Sequence, residues 1–349
     1  MKILVTGGTG YIGSHTCVEL LLAGHDVIAV DNLCNSQAEV LARVSFLGGV
    51  KLQTEPKKID NIKGYFFIEG DVRDSNLMDS IFSQYHIDIV VHFSGLKAVG
   101  ESVSTPLSYY DNNVQGTLVL CKVMQKYNVK RIVFSSSATV YGTPSSVPVN
   151  ESSLLSVTNP YGRSKLFIEE VLQDIYKSDP EWRVVILRYF NPVGAHKSGL
   201  IGDSPSGTPN NLMPYICDVA SGKREKLFIF GSDYSTKDGF GVRDYIHVVD
   251  LAKAHISGVN YTVDGLNNKG VLIANLGTGQ GYSVMEMIKA FKEVSNKKIP
   301  YEVVGRREGD IAECYADPLF AMKTLNWSAK LGLKEMCKDS WNFQCKSNI

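Results

Sequence analysis

Ile3-Leu4-Val5-Thr6-Gly7-Gly8-Thr9-Gly10-Tyr11-Ile12-Gly13 begins as a short apolar run, breaks into glycines and resumes with helical spacing. The run reads as a strand buried on both faces. Glycines at 7, 10 and 13 let the backbone turn tightly and allow another group to approach it closely. The helix that follows offers free N–H groups and a partial positive charge at its N-terminus, a setting suited to phosphate. An acid, Asp31, stands about 20 residues on, at the end of a second strand-like run over 27–31. Strand, glycine turn, helix, strand and acid together specify the opening of a dinucleotide-binding fold.

The same rhythm continues downstream. Apolar runs at 65–69, 87–93, 131–135 and 184–190 alternate with helical patterns near 12–23, 75–85, 111–127 and 161–178. Such alternation implies right-handed crossovers and a doubly wound parallel sheet, an α/β Rossmann domain over 1–190. A charged, unpatterned stretch at 51–63 reads as a surface insertion. The rhythm breaks after Phe190, and 199–211 is rich in Gly, Ser, Pro and Asn. Residues 191–349 are therefore expected to form mainly a smaller mixed α/β C-terminal lobe for substrate. Its expected helices lie at 212–222, 249–263 and 283–295, and its strands at 227–230, 272–276 and 300–304. The 249–263 helix is expected to return to the large domain.

Composition narrows the function. The 349 residues suffice for a large core. Lys+Arg and Asp+Glu are both 36, so the net charge is zero and the chain is no basic nucleic-acid binder. Seven cysteines, without a CxxC pair, point to a reduced, cytoplasmic setting. No stretch reaches the roughly 18 apolar residues of a membrane span, and none resembles a signal peptide. No cluster has metal-ligand spacing. His92 and His247, in strand-like contexts, read as core histidines.

Tyr161 and Lys165 lie four residues apart in Pro-Tyr161-Gly-Arg-Ser-Lys165, and so share one face of a helix. A serine run, Ser135-Ser136-Ser137, precedes them. Free tyrosine titrates near 10, so a base at pH 7 needs a lowering of about three units, roughly 4 kcal/mol. A cation at about 4 Å supplies about 1 kcal/mol in bulk water but about 4 at an effective dielectric near 20. The pair therefore works only in a partly buried cleft, helped by a positively charged nicotinamide ring. Ser137 is placed to donate to, or relay a proton from, the same hydroxyl. Asp31 would accept hydrogen bonds from both ribose hydroxyls of adenosine and repel a 2′-phosphate, which favours NAD over NADP.

The segments VTGGTGYIGSHT, VDNLCNS, HFSGLKAVGESV, YYDNNVQGT, FSSSATVYG, YGRSK, LRYFNPVGAH, PNNLMPYI, GVRDYIHV, NLGTG and RREGD run from residue 5 to 310. Through them the chain resembles the extended short-chain dehydrogenase/reductase family, and within it the enzymes that epimerise nucleotide sugars. The resemblance implies interconversion of UDP-galactose and UDP-glucose, a step of galactose metabolism, with a tightly held NAD. Hydride would leave and return at sugar C4 through a 4-keto intermediate, with Tyr161 handling the 4-OH proton and Lys165 and Ser137 assisting. For the cofactor it implies Gly7, Gly10, Tyr11, Ile12 and Gly13 at the phosphates, and Asp31, Asn32, Asn35 and Ser36 at the adenosine ribose. Asp71 and Val72 would meet the adenine. Phe93, Ser94, Gly95, Lys97, Asn112, Ser135, Tyr161, Lys165 and Tyr189 would line the rest of NAD. Lys97, Ser137 and Tyr161 are implied at the substrate too, with Asn191, Asn211, Leu212 and Tyr245 around sugar and diphosphate. Phe228, Ile229 and Phe230 would grip uracil, Arg243 and Arg307 the diphosphate, and Asp310 the uridine ribose.

Cys314 stands where some relatives carry tyrosine and others a small residue. Its small side chain leads us to expect turnover of UDP-GalNAc and UDP-GlcNAc as well. A homodimer is implied, paired through the helices near 111–127 and 161–178. Three alternatives stay open. A 4,6-dehydratase of the same fold needs an acid beside the serine, where this chain has Ala138 and Thr139; a related decarboxylase or uronate epimerase would need a charge for a C6 carboxylate. A non-catalytic NAD-binding regulator would tend to lose the tyrosine or lysine, and both are present.

Overall fold

The computed structural model describes residues 1–53, 63–205, 207, 209, 211–264, 270–307 and 310–346. Most of the insertion expected over 51–63 lies outside the described residues. Contacts group the chain into two units, one of residues 1–142, 155–188 and 252–274, the other of 143–154, 189–251 and 275–349.

The first unit is built on an eight-stranded sheet. Its order is Gly270–Leu276, Arg183–Tyr189, Arg131–Ser137, Ile89–His92, Lys2–Thr6, Asp26–Asp31, Tyr65–Glu69 and Leu52–Gln53. From Arg131–Ser137 across to Leu52–Gln53 the pairs are parallel. Leu4, Ile28, Val90, Ile132 and Ile186 are inaccessible to solvent, which explains why these strands read as unbroken apolar runs. Apart from the two-residue edge strand Leu52–Gln53, chain order runs outward in both directions from the first strand. The switch point therefore falls between Thr6 and His92, where doubly wound sheets hold their ligands.

Two expectations shift. The strand expected at 272–276 in the smaller lobe is instead the edge of the large sheet. The helix Val248–Val263 leads back to it; Gly258 lets the helix lie close on Val133, Val185 and Leu187, and the His255 ring packs 4.7 Å from that of Phe93. Residues 143–154, expected in the first domain, group with the second unit. There the Val149 N–H donates to the Tyr315 carbonyl at 2.8 Å, and the Glu151 carboxylate accepts from the Asn275 N–H at 2.8 Å.

In the second unit, Val242–His247 is the centre of a small sheet, flanked by Gly281–Ser283, Glu313–Cys314 and Asn191–Val193. Leu227–Phe230 pairs in parallel with Tyr301–Val304. Helices Leu212–Ala220, Val284–Ser295 and Leu333–Lys346 share a core that includes Ile216, Phe291 and Met336. Ser283 and Glu286 cap the second of these helices reciprocally.

Candidate active site

The glycine turn is shaped by close approach. A Cβ on Gly13 would lie 2.1 Å from the Gly7 carbonyl oxygen, and one on Gly8 would lie 2.7 Å from the Ala29 Cβ. Gly7, at φ +70°, also sits against the backbone of Ser94. Gly8 was not among the glycines read from the motif; its signal was adjacency to the strand that carries Asp31. Gly10 differs, since a Cβ there would meet only the Gly7 oxygen, at 3.3 Å. Helix Tyr11–Leu22 begins at Gly10 with no side-chain cap and no acid in its first turn. No side chain caps its first turn, and the turn fits a pyrophosphate.

Asp31 ends the second strand and accepts the Thr9 N–H at 3.1 Å, the Leu33 N–H at 2.9 Å and the Ser36 hydroxyl at 3.2 Å. Ser36 and Thr9 also share a hydrogen bond of 2.7 Å. Three bonds leave a carboxylate with acceptor capacity for ribose. Asn32 donates to Asp71 at 2.9 Å, while Arg73 donates to the same carboxylate from Nε and Nη2. Those Arg73 bonds hold the Asp71 carboxyl well below the usual carboxylate range. Asp71 is thus already engaged, and Val72 is buried, so contact with an adenine there falls to the backbone and remaining lone pairs. Asn35 is exposed and Ile12 half-buried.

Asn113 was not anticipated; Asn112, one residue earlier, was. The chain from Tyr110 to Gln115 is wound as a π-helix, a form often found at functional sites. It turns Asn113 inward to accept the Leu96 N–H at 2.7 Å and to donate to the Ser164 hydroxyl at 3.0 Å. Asn113 so ties the Ser94–Lys97 loop to the YxxxK helix, while Asn112 is half-buried. Lys97 is exposed, its ammonium 5.9 Å from the centre of the Tyr11 ring.

Helix Pro160–Ser178 starts as its sequence dictates: Asn159 caps Gly162 at 2.8 Å and Pro160 takes the first turn. Gly162 allows the helix to meet Thr139, whose carbonyl would be 2.9 Å from a Cβ. Lys165 is buried and donates to the Ser135 carbonyl at 2.7 Å; its ammonium lies 6.0 Å from the centre of the Tyr161 ring. Burial pulls its pKa down to about 8. Ser137 accepts from the Thr139 N–H at 3.2 Å and the Thr139 hydroxyl at 3.0 Å. Its oxygen being doubly engaged as acceptor, its own proton is free to point to the Tyr161 oxygen. That bond lowers the tyrosine pKa, but burial outweighs it and leaves Tyr161 above its ordinary value. A base at pH 7 needs a lowered value; these side chains alone do not produce one.

In the second unit, Arg243 and Cys314 are register partners on neighbouring strands, and Tyr282 stands opposite Arg243 on its other side. Cys314 is buried, and burial raises its thiol to about 11, so it is neutral. Tyr245, paired with Asn191, is buried and pushed up to about 12. Asn211 begins helix Leu212–Ala220 without using its side chain as a cap, and that helix has no acid in its first turn. Arg307 lies 4.4 Å over the Phe230 ring and 3.4 Å from the Asp310 carboxylate. Phe228 and Phe230 face outward, but Ile229 points into the core, so only its backbone is available to a ligand. Tyr189 is buried at the end of its strand. A cavity of about 430 Å³ lined by Asp88, Lys130, Arg131 and Arg183 lies at the opposite, N-terminal strand ends and contains none of these residues. Among the described residues no cluster of His, Cys, Asp and Glu could hold a metal, and no helix is long and apolar enough to cross a membrane.

A doubly wound sheet with an open glycine turn, an acid ending its second strand and a Ser/YxxxK helix defines a short-chain dehydrogenase/reductase of the extended type. The family model described as GDP-mannose 4,6 dehydratase matches residues 4–340. UDP-glucose 4-epimerase of Bacillus subtilis is 55% identical over 349 residues, covering 100% of this chain and 98% of its own. UDP-glucose 4-epimerase from Bifidobacterium longum, in complex with NAD+ and UDP, superimposes with a TM-score of 0.91 at 51% identity, covering 100% of this chain and 99% of that one. UDP-glucose 4-epimerase from Stenotrophomonas maltophila, with bound NAD and formylated UDP-arabinopyranose, gives 0.93 at 45% identity, with the same coverage. The chain belongs to the UDP-glucose 4-epimerase family.

Proposed function

We propose that this protein interconverts UDP-galactose and UDP-glucose, with NAD held at the glycine turn and by Asp31. Bound NAD supplies the acceptor, and then the donor, of a hydride at sugar C4. Tyr161 takes the 4-OH proton as the C–O bond becomes a carbonyl, and returns it when the hydroxyl re-forms. Lys165 opposes the developing negative charge on the phenolate, and Ser137 donates to it. Arg243 and Arg307 suit a diphosphate, as planar guanidinium forks pair with phosphate oxygens. The observation that carries the reading is the committed geometry at Ser137: Thr139, where a dehydratase needs an acid, spends its hydroxyl on Ser137.

The test uses purified protein without added cofactor. It should convert UDP-galactose to UDP-glucose and release NAD or NADH on denaturation, and Tyr161→Phe should abolish turnover. Accumulation of a 4-keto-6-deoxy sugar, or full activity in Tyr161→Phe, would refute the assignment. Activity on UDP-GalNAc and UDP-GlcNAc belongs to the same proposal, supported by the small neutral Cys314 beside Arg243.

We also propose a cytoplasmic homodimer. Val103, Leu107, Leu118 and Phe167 are exposed on the helical face where Tyr110 stacks on Phe167 at 6.1 Å, an apolar surface of the kind that pairs across a two-fold axis. Sedimentation should give twice the chain mass for the native protein and a monomer for Phe167→Glu. Seven free thiols, five of them buried, suit a reducing compartment.

A further inference from the structure

Lys165 has a second neighbour on its own helix. Glu169 stands one turn further on and is wholly buried, and it meets Arg188 of strand Arg183–Tyr189, which is 2% exposed. Arg188 donates from Nε to one Glu169 oxygen at 3.0 Å and from Nη2 to the other at 2.6 Å. The Ser136 hydroxyl donates to the same carboxylate. Arg188 Nη1 reaches the Tyr141 hydroxyl at 2.8 Å, and its guanidinium lies 4.9 Å over that ring. Every partner belongs to a piece that carries the chemistry. Ser136 sits between Ser135, whose carbonyl takes the Lys165 proton donor, and Ser137; Tyr141 closes the short helix that Ser137 caps.

Stability alone does not account for such a pair, because replacing a buried ion pair by packed apolar groups is often neutral or favourable. Its place beside Lys165 does. Residues four apart on a helix are neighbours, and an anion at that spacing favours the lysine cation. The other groups facing Lys165 bring no second anion. They are the Ser135 carbonyl, the Phe134 ring at 4.9 Å, neutral Tyr161, and His92 on strand Ile89–His92. His92 is itself bonded to Thr6 and Thr117 and held neutral, its pKa lowered to about 3 by burial and then by Lys165. Arg188 stands behind Glu169.

We propose that the Glu169–Arg188 pair is a positioning device that keeps Lys165 charged and fixes the Ser135–Ser137 strand end against the YxxxK helix. This rests on the roles proposed above for Tyr161 and Lys165. The test compares kcat and KM for UDP-galactose from pH 6 to 10 in full-length wild type, Tyr161→Phe, Glu169→Gln and Glu169→Asp. Lys165 discharges near pH 8 in wild type, which sets a falling alkaline limb. Glu169→Gln should move that limb acidward by about one unit, so kcat drops about ninefold at pH 9 against about twofold at pH 7, with KM unchanged. Glu169→Asp should keep the limb in place. Because Glu169→Gln strands a buried guanidinium, the double variant Glu169→Gln/Arg188→Met is measured beside it and should show the same displaced limb. An unchanged limb in whichever variant folds, or failure of both to fold, overturns the role of the pair alone. Full activity in Tyr161→Phe overturns the assigned base as well.

Discussion

Lys165→Met should change the pH dependence of the reaction and not only its size. The Lys165 ammonium lies 6.0 Å from the centre of the Tyr161 ring. At an effective dielectric near 20, unit charges at that separation interact by about 2.8 kcal/mol, which is about two pH units. Burial already holds Tyr161 above its ordinary value. Removing the cation should raise it by about two units more and lower kcat about 100-fold wherever the pH is below both values. Wild type should meanwhile decline above pH 8, as Lys165 loses its proton, while the variant lacks that limb. The two profiles should therefore converge on the alkaline side. The assay is initial-rate conversion of UDP-galactose from pH 6 to 10, normalised to bound NAD, since losing the bond to the Ser135 carbonyl loosens the site by a pH-independent factor. A wild-type to variant ratio that stays constant across the range would refute electrostatic activation. The same arithmetic shows that Lys165 alone is insufficient: three units are needed from 10, burial adds to them, and the cation returns about two. The remainder falls to the Ser137 hydrogen bond and to the positive charge of an oxidised nicotinamide.

Gly10→Ala should leave the melting temperature near wild type yet abolish retained NAD, because its Cβ meets nothing closer than 3.3 Å. Gly13→Ala, with a Cβ at 2.1 Å from the Gly7 oxygen, should lower both, by about 1–3 kcal/mol or more in stability measured by urea unfolding. Cys314→Tyr should abolish turnover of UDP-GalNAc while leaving UDP-galactose active, and equal loss of both would sink the size argument. Asp244→Ala should destabilise the second unit by about 3 kcal/mol or more in the same unfolding assay, since it orphans the N–H groups of Thr278, Gly279 and Ala316 and removes one acceptor of the Thr278 hydroxyl. Raising salt from 0.05 to about 0.5 M should increase KM for UDP-galactose several-fold through screening of exposed Arg307, while NAD retention, which rests on backbone N–H groups, stays constant.

The cofactor half was readable in the sequence because its strands are buried on both faces and its turn depends on glycine. The strand expected at 65–69 has those bounds in the structure. Val242–His247 was not read as a strand, since Arg243 and Asp244 interrupt its apolar run; Asp244 is nevertheless fully buried, its charge met by four donors. The 272–276 strand was read, but linear order put it in the wrong lobe. Ser137, Tyr161 and Lys165 were legible from their order along the chain. Glu169 and Arg188 were not, because no spacing rule links a helix residue to a strand residue 19 positions later. The structural role of Asn113 was not legible, because the π-turn from Tyr110 to Gln115 decides that this asparagine faces inward. Ile229 entered with the segment 228–230 that the resemblance implies, and strand alternation turns its side chain to the core while leaving its backbone.

One fold serves both dehydration and epimerisation, and the difference lies in what stands beside the serine. Elimination of water from a 4-keto sugar needs a group that removes a proton from carbon and another that protonates the leaving hydroxyl. Here Ala138 has no proton to exchange, and the Thr139 hydroxyl is bound to Ser137. The carboxylate nearest in sequence to Lys165, Glu169, is sealed by Arg188 and Ser136 and is wholly buried. Tyr161 is then the group on its helix that the Ser137 hydroxyl and the Lys165 ammonium address, and a phenol placed to serve one hydroxyl does not also serve a carbon and a leaving group. A sugar oxidised at C4 beside these residues has one exit, the return of hydride and proton to C4. With Ala138 and a committed Thr139 beside Ser137, nothing there takes a hydroxyl from the sugar.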